Sequence, residues 1–89
     1  MKQTYIEVTF RKGKALAAYY YLPRDSKDRS ARTEAVGSGL LVDYSEDGRP
    51  IGIEITSPGT LELAELNRVL QELGQSPLAP EEIAPLSAS

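Results

Sequence analysis

The chain of 89 residues contains no cysteine and no histidine. Without cysteine it cannot form a disulfide, a thiolate nucleophile or a cysteine-based zinc site. Without histidine it lacks the commonest general base and the commonest protein ligand of transition metals. We therefore expect a protein that is not an enzyme and that binds neither a cofactor nor a metal ion.

Long hydrophobic runs are also missing. No apolar stretch approaches the roughly 20 residues that a membrane-spanning helix needs. Residues 1–10 alternate between polar and apolar side chains and lack the apolar centre of a signal peptide. These features predict a cytoplasmic protein with no contact to a membrane.

Charge is distributed unevenly along the chain. Residues 1–32 hold eight of the ten basic residues and three of the thirteen acidic residues, although the net charge of the whole chain is −3. One interpretation is that the two parts simply attract each other within one compact domain. The other is a bipolar surface that steers a partner or orients self-association.

Residues 40–55, which read LLVDYSEDGRPIGIEI, carry the clearest structural signal. Asp47-Gly48 between alternating runs predicts a β-hairpin, because a tight turn needs the positive φ that glycine adopts without steric cost. A two-residue turn would place six side chains on one buried face in three pairs: Leu40 with Ile55, Val42 with Ile53, and Tyr44 with Ile51. The opposite face then carries four residues: Leu41, Asp43, Gly52 and Glu54.

Further strands are predicted on both sides of a polar loop. Residues 4–10 alternate in polarity, which indicates a half-buried strand. Residues 15–22, ALAAYYYL, indicate a second strand that is apolar on both faces, with Leu16 and Tyr20 on the same face. Residues 24–32 are polar and aperiodic and predict an exposed loop. Residues 33–36 predict a short strand, which ends at a glycine-rich turn.

The last predicted element is a helix over residues 61–73, because leucine and valine recur there at helical spacing. Ser57 or Thr60 is the expected N-cap, and Gly74 suits the position after the helix. The expected fold class is α+β, with a four- or five-stranded antiparallel β-meander and one C-terminal α-helix packed on one face. We expect a single domain over residues 1–74. Residues 75–89, rich in proline, alanine and serine, form a C-terminal tail that is extended or holds one helical turn at residues 80–84.

The strand ALAAYYYL, the segment TEAVGSGLLVDYSEDGRPIGIEI and the following helix resemble the domain-of-unknown-function family 2283, which contains small, mainly bacterial proteins. The resemblance covers roughly residues 4–56 and is most specific in VDYSEDG and GIEI. Residues 11–14 depart from it, because they form a basic turn where the family usually has an acidic one. The resemblance implies an antiparallel sheet with a packed helix, and it implies no activity. Genes of such families often lie beside small toxin-like partners, which points to an antitoxin-like or immunity-type role.

One face of the predicted sheet has no helix to cover it. A contiguous apolar patch on a small protein usually marks a partner site. We therefore expect a non-catalytic protein-binding module that forms a homodimer or binds a small protein partner. The expected partner-binding residues lie on this face and in the loop after the second strand: Tyr19, Tyr21, Leu41, Glu54, Arg24, Lys27, Arg29 and Arg32.

Two other functions remain as alternatives. Tyrosines 19–21 beside a basic loop resemble a stacking platform for single-stranded nucleic acid. However, adjacent tyrosines in a strand point to opposite faces and the chain is acidic overall, so nucleic acid is not the expected partner. Asp43 and Glu54 lie diagonally on one face of the hairpin and could serve a small enzyme or bind a hard cation. Nothing else in the sequence converges on this pair, so a solvated sheet face is the simpler interpretation.

Overall fold

A computed structural model describes residues 4–24, 27–37 and 39–87 of the chain. Within these ranges the chain forms five β-strands, one α-helix and two 3₁₀ segments. The strands are β1 (Tyr5–Arg11), β2 (Lys14–Tyr21), β3 (Arg32–Gly37), β4 (Leu40–Tyr44) and β5 (Pro50–Ile55). The α-helix, α1, spans Leu63–Glu72, and the 3₁₀ segments span Pro58–Thr60 and Pro80–Ser87.

All five strands pair antiparallel in one sheet, in the order β1-β2-β5-β4-β3. The predicted α+β class, with an antiparallel sheet and one helix, is confirmed. The strand order differs from a simple meander, because β5 lies between β2 and β4. After β2 the next strand, β3, lies at the far edge of the sheet, and the chain then returns through β4 and β5 to pair with β2.

The β4–β5 hairpin has the predicted pairs Leu40 with Ile55 and Val42 with Ile53. Nearer the turn the register shifts, so that Tyr44 faces Pro50 and not Ile51. The shift arises because three residues, and not two, form the turn. Gly48 has a φ of 88°, and the Ser45 amide donates a hydrogen bond of 2.9 Å to the carbonyl of Arg49.

A second irregularity lies in the β1–β2 hairpin. Thr9 faces Ala17 but Phe10 faces Ala15, so Leu16 is an extra residue in β2, a β-bulge. Its side chain is 54% exposed and does not join Tyr20 in the core. A period-two pattern cannot reveal such an inserted residue, and it did not indicate that Leu16 is exposed while Tyr20 is buried.

The core lies between one face of the sheet and α1. Its buried side chains come from three strands, from the residue after β2, from α1 and from the segment after α1: Ala18, Tyr20, Leu22, Leu40, Val42, Ile53, Ile55, Leu66, Val69, Leu70 and Leu78. The strand positions alternate and the helix positions recur every three or four residues, as burial of one face requires. Ile51 is fully buried but lies outside this cluster.

The sequence predicted the residue after the C-terminal end of α1 correctly, but it did not predict the N-cap. Its N-cap is Glu62, and neither Ser57 nor Thr60 caps it; Ser57 instead precedes the 3₁₀ segment Pro58–Thr60. At the other end Gly74 has a φ of 75°, as predicted for the residue after a helix. The amides of Gly74 and Gln75 donate to the carbonyls of Gln71 and Leu70, which forms a Schellman motif.

Residues 75–87 pack against the domain. Leu78 belongs to the core and Ile83 packs against it. The side chain of Asn67 makes two hydrogen bonds to the backbone of Leu78, donating to its carbonyl at 3.1 Å and accepting from its amide at 2.7 Å. The predicted helical turn at residues 80–84 appears as part of the 3₁₀ segment Pro80–Ser87. Within the described ranges, no helix has the length and apolar character to cross a membrane.

Candidate functional site

The face of the sheet opposite α1 is called the open face here. The strand register places twelve residues on it: Tyr5, Glu7, Thr9, Ala17, Tyr19, Tyr21, Gly52, Glu54, Leu41, Asp43, Thr33 and Ala35. Four of the predicted partner-binding residues, Tyr19, Tyr21, Leu41 and Glu54, are thus brought together on one surface. In the described part of the chain no helix covers that surface.

Tyr19 is fixed at the centre of the open face by a hydrogen-bond network. Its ring lies directly over Gly52, where a Cβ atom would overlap the ring and the hydroxyl. The hydroxyl donates to Oδ2 of Asp43 at 2.7 Å, and Thr33 donates to Oδ1 of the same carboxylate at 2.5 Å. Burial, followed by the hydrogen bond to Asp43, raises the pKa of Tyr19 above its usual value. Tyr19 is therefore mainly a structural residue.

Tyr21 and Tyr5 form an aromatic surface beside Tyr19. Their rings stack with centroids 4.3 Å apart and planes 15° apart. Tyr21 also meets Tyr19 edge to face, with centroids 4.7 Å apart. Its hydroxyl donates to Glu7 at 3.0 Å, and this hydrogen bond is the main cause that raises the pKa of Tyr21. The guanidinium of Arg24 lies 5.8 Å from the centre of the Tyr21 ring, within the range of a cation–π interaction.

A shallow hollow of about 210 Å³ lies on the open face between two carboxylates. Glu7 and Glu54 flank Tyr19, which pairs with both across its neighbouring strands. The short side chain of Ala17 forms part of the lining of this hollow beside Tyr19. Its lining contains two carboxylates, one tyrosine and no basic residue: Glu7, Thr9, Ala17, Ala18, Tyr19 and Glu54.

The basic residues of the 24–32 loop do not form one cluster on the open face. Arg24 lies beside Tyr21, as described above. Arg32 lies on the core side of the sheet, with its guanidinium 4.1 Å from the ring centre of Tyr44 and an ion pair to Glu34. Lys27 and Arg29 lie beside the β4–β5 turn. The predicted partner-binding residues of this loop are therefore spread over separate parts of the surface, and Asp25 lies outside the described residues.

Arg49 ties this loop to the β4–β5 turn. Its guanidinium forms ion pairs with Asp28 at 2.6 Å and with Asp47 at 2.9 Å. Ser45 donates a second hydrogen bond to Asp47. The hydrogen bond from Ser45, followed by the one from Arg49, lowers the pKa of Asp47 from 3.8 to about 2.

The lowered pKa of Asp47 predicts that its contact with Arg49 within the β4–β5 turn depends on acidity. A carboxyl whose pKa is lower in the folded state stabilises that state fully above its unfolded pKa. The contribution is lost as the pH falls from about 3.8 to about 2. We expect the resonance of the Arg49 Nε–H, which donates to Asp47, to shift over this window in an NMR titration. The shift should be absent in Asp47→Asn, and a shift that persists in that variant would contradict this assignment.

The carboxylate pair Asp43 and Glu54 has the predicted diagonal arrangement, since Asp43 pairs with Gly52 and Leu41 pairs with Glu54. Both oxygens of Asp43 accept hydrogen bonds from Tyr19 and Thr33. Residues 4–24, 27–37 and 39–87 contain no group of three or more side chains that could hold a metal ion. The described geometry therefore gives Asp43 a role in positioning Tyr19.

Two residues of the site were not among the predicted ones. Gly52 was placed on the open face but was given no role, although a glycine inside a strand often marks a close approach. Glu7 was not singled out within the alternating first strand. Its proximity to Glu54 depends on β5 pairing with β2, and nothing in the local pattern shows that long-range pairing.

Residues 17–57 match the family described as "Protein of unknown function (DUF2283)". The match confirms the resemblance that the hairpin motifs indicated, over a shorter range than expected: it begins within β2 and ends before α1. Glu7 and the whole of β1 lie outside it. No curated protein and no solved structure gives a significant match to the chain.

Proposed function

We propose that the protein is a non-catalytic binding module whose open face takes a basic surface of a protein partner. An arginine or lysine side chain of the partner enters the hollow between Glu7 and Glu54. The observation that carries this proposal is the hollow itself, because two carboxylates and a tyrosine surround a space with no base in its lining.

The chemistry of the open face suits a cationic side chain. A carboxylate accepts charge-assisted hydrogen bonds from a guanidinium or ammonium group, and these are about twice as strong as neutral ones. The Tyr19 ring and the Tyr5–Tyr21 stack offer apolar surface to the aliphatic part of the same side chain. Tyrosine also suits protein interfaces in general, because its ring buries area while its hydroxyl keeps a polar partner.

The same charges argue against a nucleic acid on this face. Nucleic-acid binding depends on lysine and arginine side chains that neutralise phosphates. Here Glu7, Glu54 and Asp43 lie on the face, and Arg24 is the basic group beside the tyrosines. An acidic face with a tyrosine stack therefore favours a basic protein. An antitoxin-like role, with a small basic toxin as the partner, is one form of this function and accords with the family resemblance.

The test reverses the charge of the hollow. Glu7→Lys combined with Glu54→Lys should weaken binding of the partner about 100-fold, since two charge pairs at about 1.4 kcal/mol each become repulsive or are lost. Wild-type and variant proteins are used as tagged baits in nuclease-treated lysate of the native host. A stoichiometric protein that the wild type retains is then purified, and its affinity for each bait is measured by calorimetry.

The matched control carries the same change of charge elsewhere. Glu46→Lys combined with Glu81→Lys alters two exposed carboxylates, one in the β4–β5 turn and one in the 3₁₀ segment Pro80–Ser87. This control should retain the partner. Equal retention by the hollow variant and the wild type would overturn the proposal, and so would bait that recovers protein only when nucleic acid is left intact.

A further inference from the structure

The sheet has two edges, β1 and β3, and they differ in what they expose. In the described part of the chain the large exposed hydrophobic side chains are Tyr5 (57%), Phe10 (48%) and Leu16 (54%). All three lie in the β1–β2 hairpin, and Tyr5 and Phe10 lie on the edge strand itself. β3 exposes small or polar side chains instead. The apolar edge of the sheet is therefore β1.

β1 also lacks the features that usually protect an edge strand. Natural edges are blunted by lysine, proline, bulges or very short strands. β1 has seven residues, and Glu7 is its one charged residue before Arg11. The extra residue of the bulge, Leu16, belongs to β2, so the outer edge of β1 runs without an insertion.

We propose that a second copy of this chain pairs with β1, strand to strand and antiparallel, about a two-fold axis that passes between the two Val8 residues. Such an axis stands perpendicular to the sheet, so each side chain must face a partner that points to the same side. This condition requires the numbers of two facing residues to have an even sum. The candidate centres near the middle of β1 are therefore Glu7, Val8 and Thr9.

The side chains select Val8 among these three centres. With Glu7 on the axis, two glutamates would face each other, and like charges directly opposite are destabilising. With Thr9 on the axis, Tyr5 and Ile6 would have no facing residue within the second strand. With Val8 on the axis all seven residues pair, so that Tyr5 faces Arg11 and Phe10 faces Ile6 of the second copy. This register covers both exposed aromatic side chains of the edge, one of them with a cation–π contact.

The pairing would create one continuous sheet of ten strands with both open faces on the same side. The two Glu7 residues, and with them the two acidic hollows, would flank the two-fold axis. The association rests on β1 alone and does not require that the hollow bind anything.

The first experiment measures the mass in solution by light scattering on a sizing column. The full chain at about 100 µM should give twice its monomer mass of 9.7 kDa. Phe10→Lys should weaken the dimer at least tenfold, because a charge would then face Ile6 of the second copy. Leu16→Lys is the matched control, since Leu16 is similarly exposed in the same hairpin but lies in β2. A monomeric wild type, or equal loss with both variants, would overturn the proposal.

The second experiment tests the register by disulfide formation, which the natural absence of cysteine makes clean. Glu7 faces Thr9 of the second copy in the proposed register, and facing Cα atoms at about 4.5–5.5 Å can be bridged. An oxidised mixture of Glu7→Cys and Thr9→Cys proteins should therefore give mainly the mixed disulfide. Predominance of either homodimeric disulfide would show a different register and overturn the pairing about Val8.

Discussion

A chain that ends at Gly74 is expected to lose most of its cooperative fold. Leu78, in the segment after α1, belongs to the core and is only 9% exposed, and Ile83 packs against the same core. Removing a buried leucine side chain costs about 2–5 kcal/mol, and each of the two hydrogen bonds between Asn67 and Leu78 contributes about 0.5–1.5 kcal/mol. A single core of this size provides only about 3–5 kcal/mol in total. Urea denaturation followed by circular dichroism measures the loss.

Two full-length variants separate burial from chain length in this experiment. Leu78→Ala should reproduce a large part of the loss, because it removes the buried side chain and keeps the segment. Ser76→Ala should unfold at the wild-type urea concentration, because Ser76 is exposed in the same segment. If the chain that ends at Gly74 unfolds at the wild-type midpoint, the segment contributes nothing to the stability of the domain.

The hairpin and the helix could be predicted because their signals are local. Leu40, Val42, Ile53 and Ile55 occupy every second position of their strands, and burial of one face permits one register for them. The helix stripe and Gly74 are equally local. The three-residue turn left the pairs far from it unchanged, since the register shift between Asp43 and Tyr44 restores the predicted pairing beyond it.

The features that the sequence did not reveal depend on contacts between distant segments. The position of β5 between β2 and β4 is a choice among strand pairings that local alternation does not distinguish. The docking of Leu78 requires Asn67 to present both its amide and its carbonyl to one backbone residue. A segment rich in proline and alanine gives no periodic signal for such a contact, so the sequence predicted a tail there.

The open face was predicted in composition but not in the roles of its residues. Tyr19, Tyr21, Leu41 and Glu54 share that face, as the alternation of the two strands required. Tyr19, however, packs on Gly52 and bonds to Asp43, so its substitution would disturb the sheet as well as any partner. The acidic hollow needs Glu7 from one strand and Glu54 from another, and their proximity follows from the strand order.

Gly52 keeps Tyr19 in place because it has no side chain. A glycine inside a strand normally weakens it, and alanine at such a position would be expected to stabilise by about 0.5–1 kcal/mol. Here a Cβ atom would occupy the space of the Tyr19 ring and hydroxyl. The ring would have to leave the sheet, and Asp43 would lose the hydrogen bond from its hydroxyl.

We therefore expect the effect of Gly52→Ala to change sign with the residue at position 19. In the wild type it should destabilise by about 1–3 kcal/mol, because a hydrogen bond to a charged group and the packing of the ring are lost together. In a Tyr19→Ala background the same change should stabilise by about 0.5–1 kcal/mol, because only the strand preference of alanine over glycine remains. Urea denaturation of the four proteins of this double-mutant cycle measures both values. Gly59→Ala, at a site with open space around it, should leave the stability within about 0.5 kcal/mol of the wild type. If Gly52→Ala has the same sign in both backgrounds, the ring of Tyr19 does not determine the glycine at position 52.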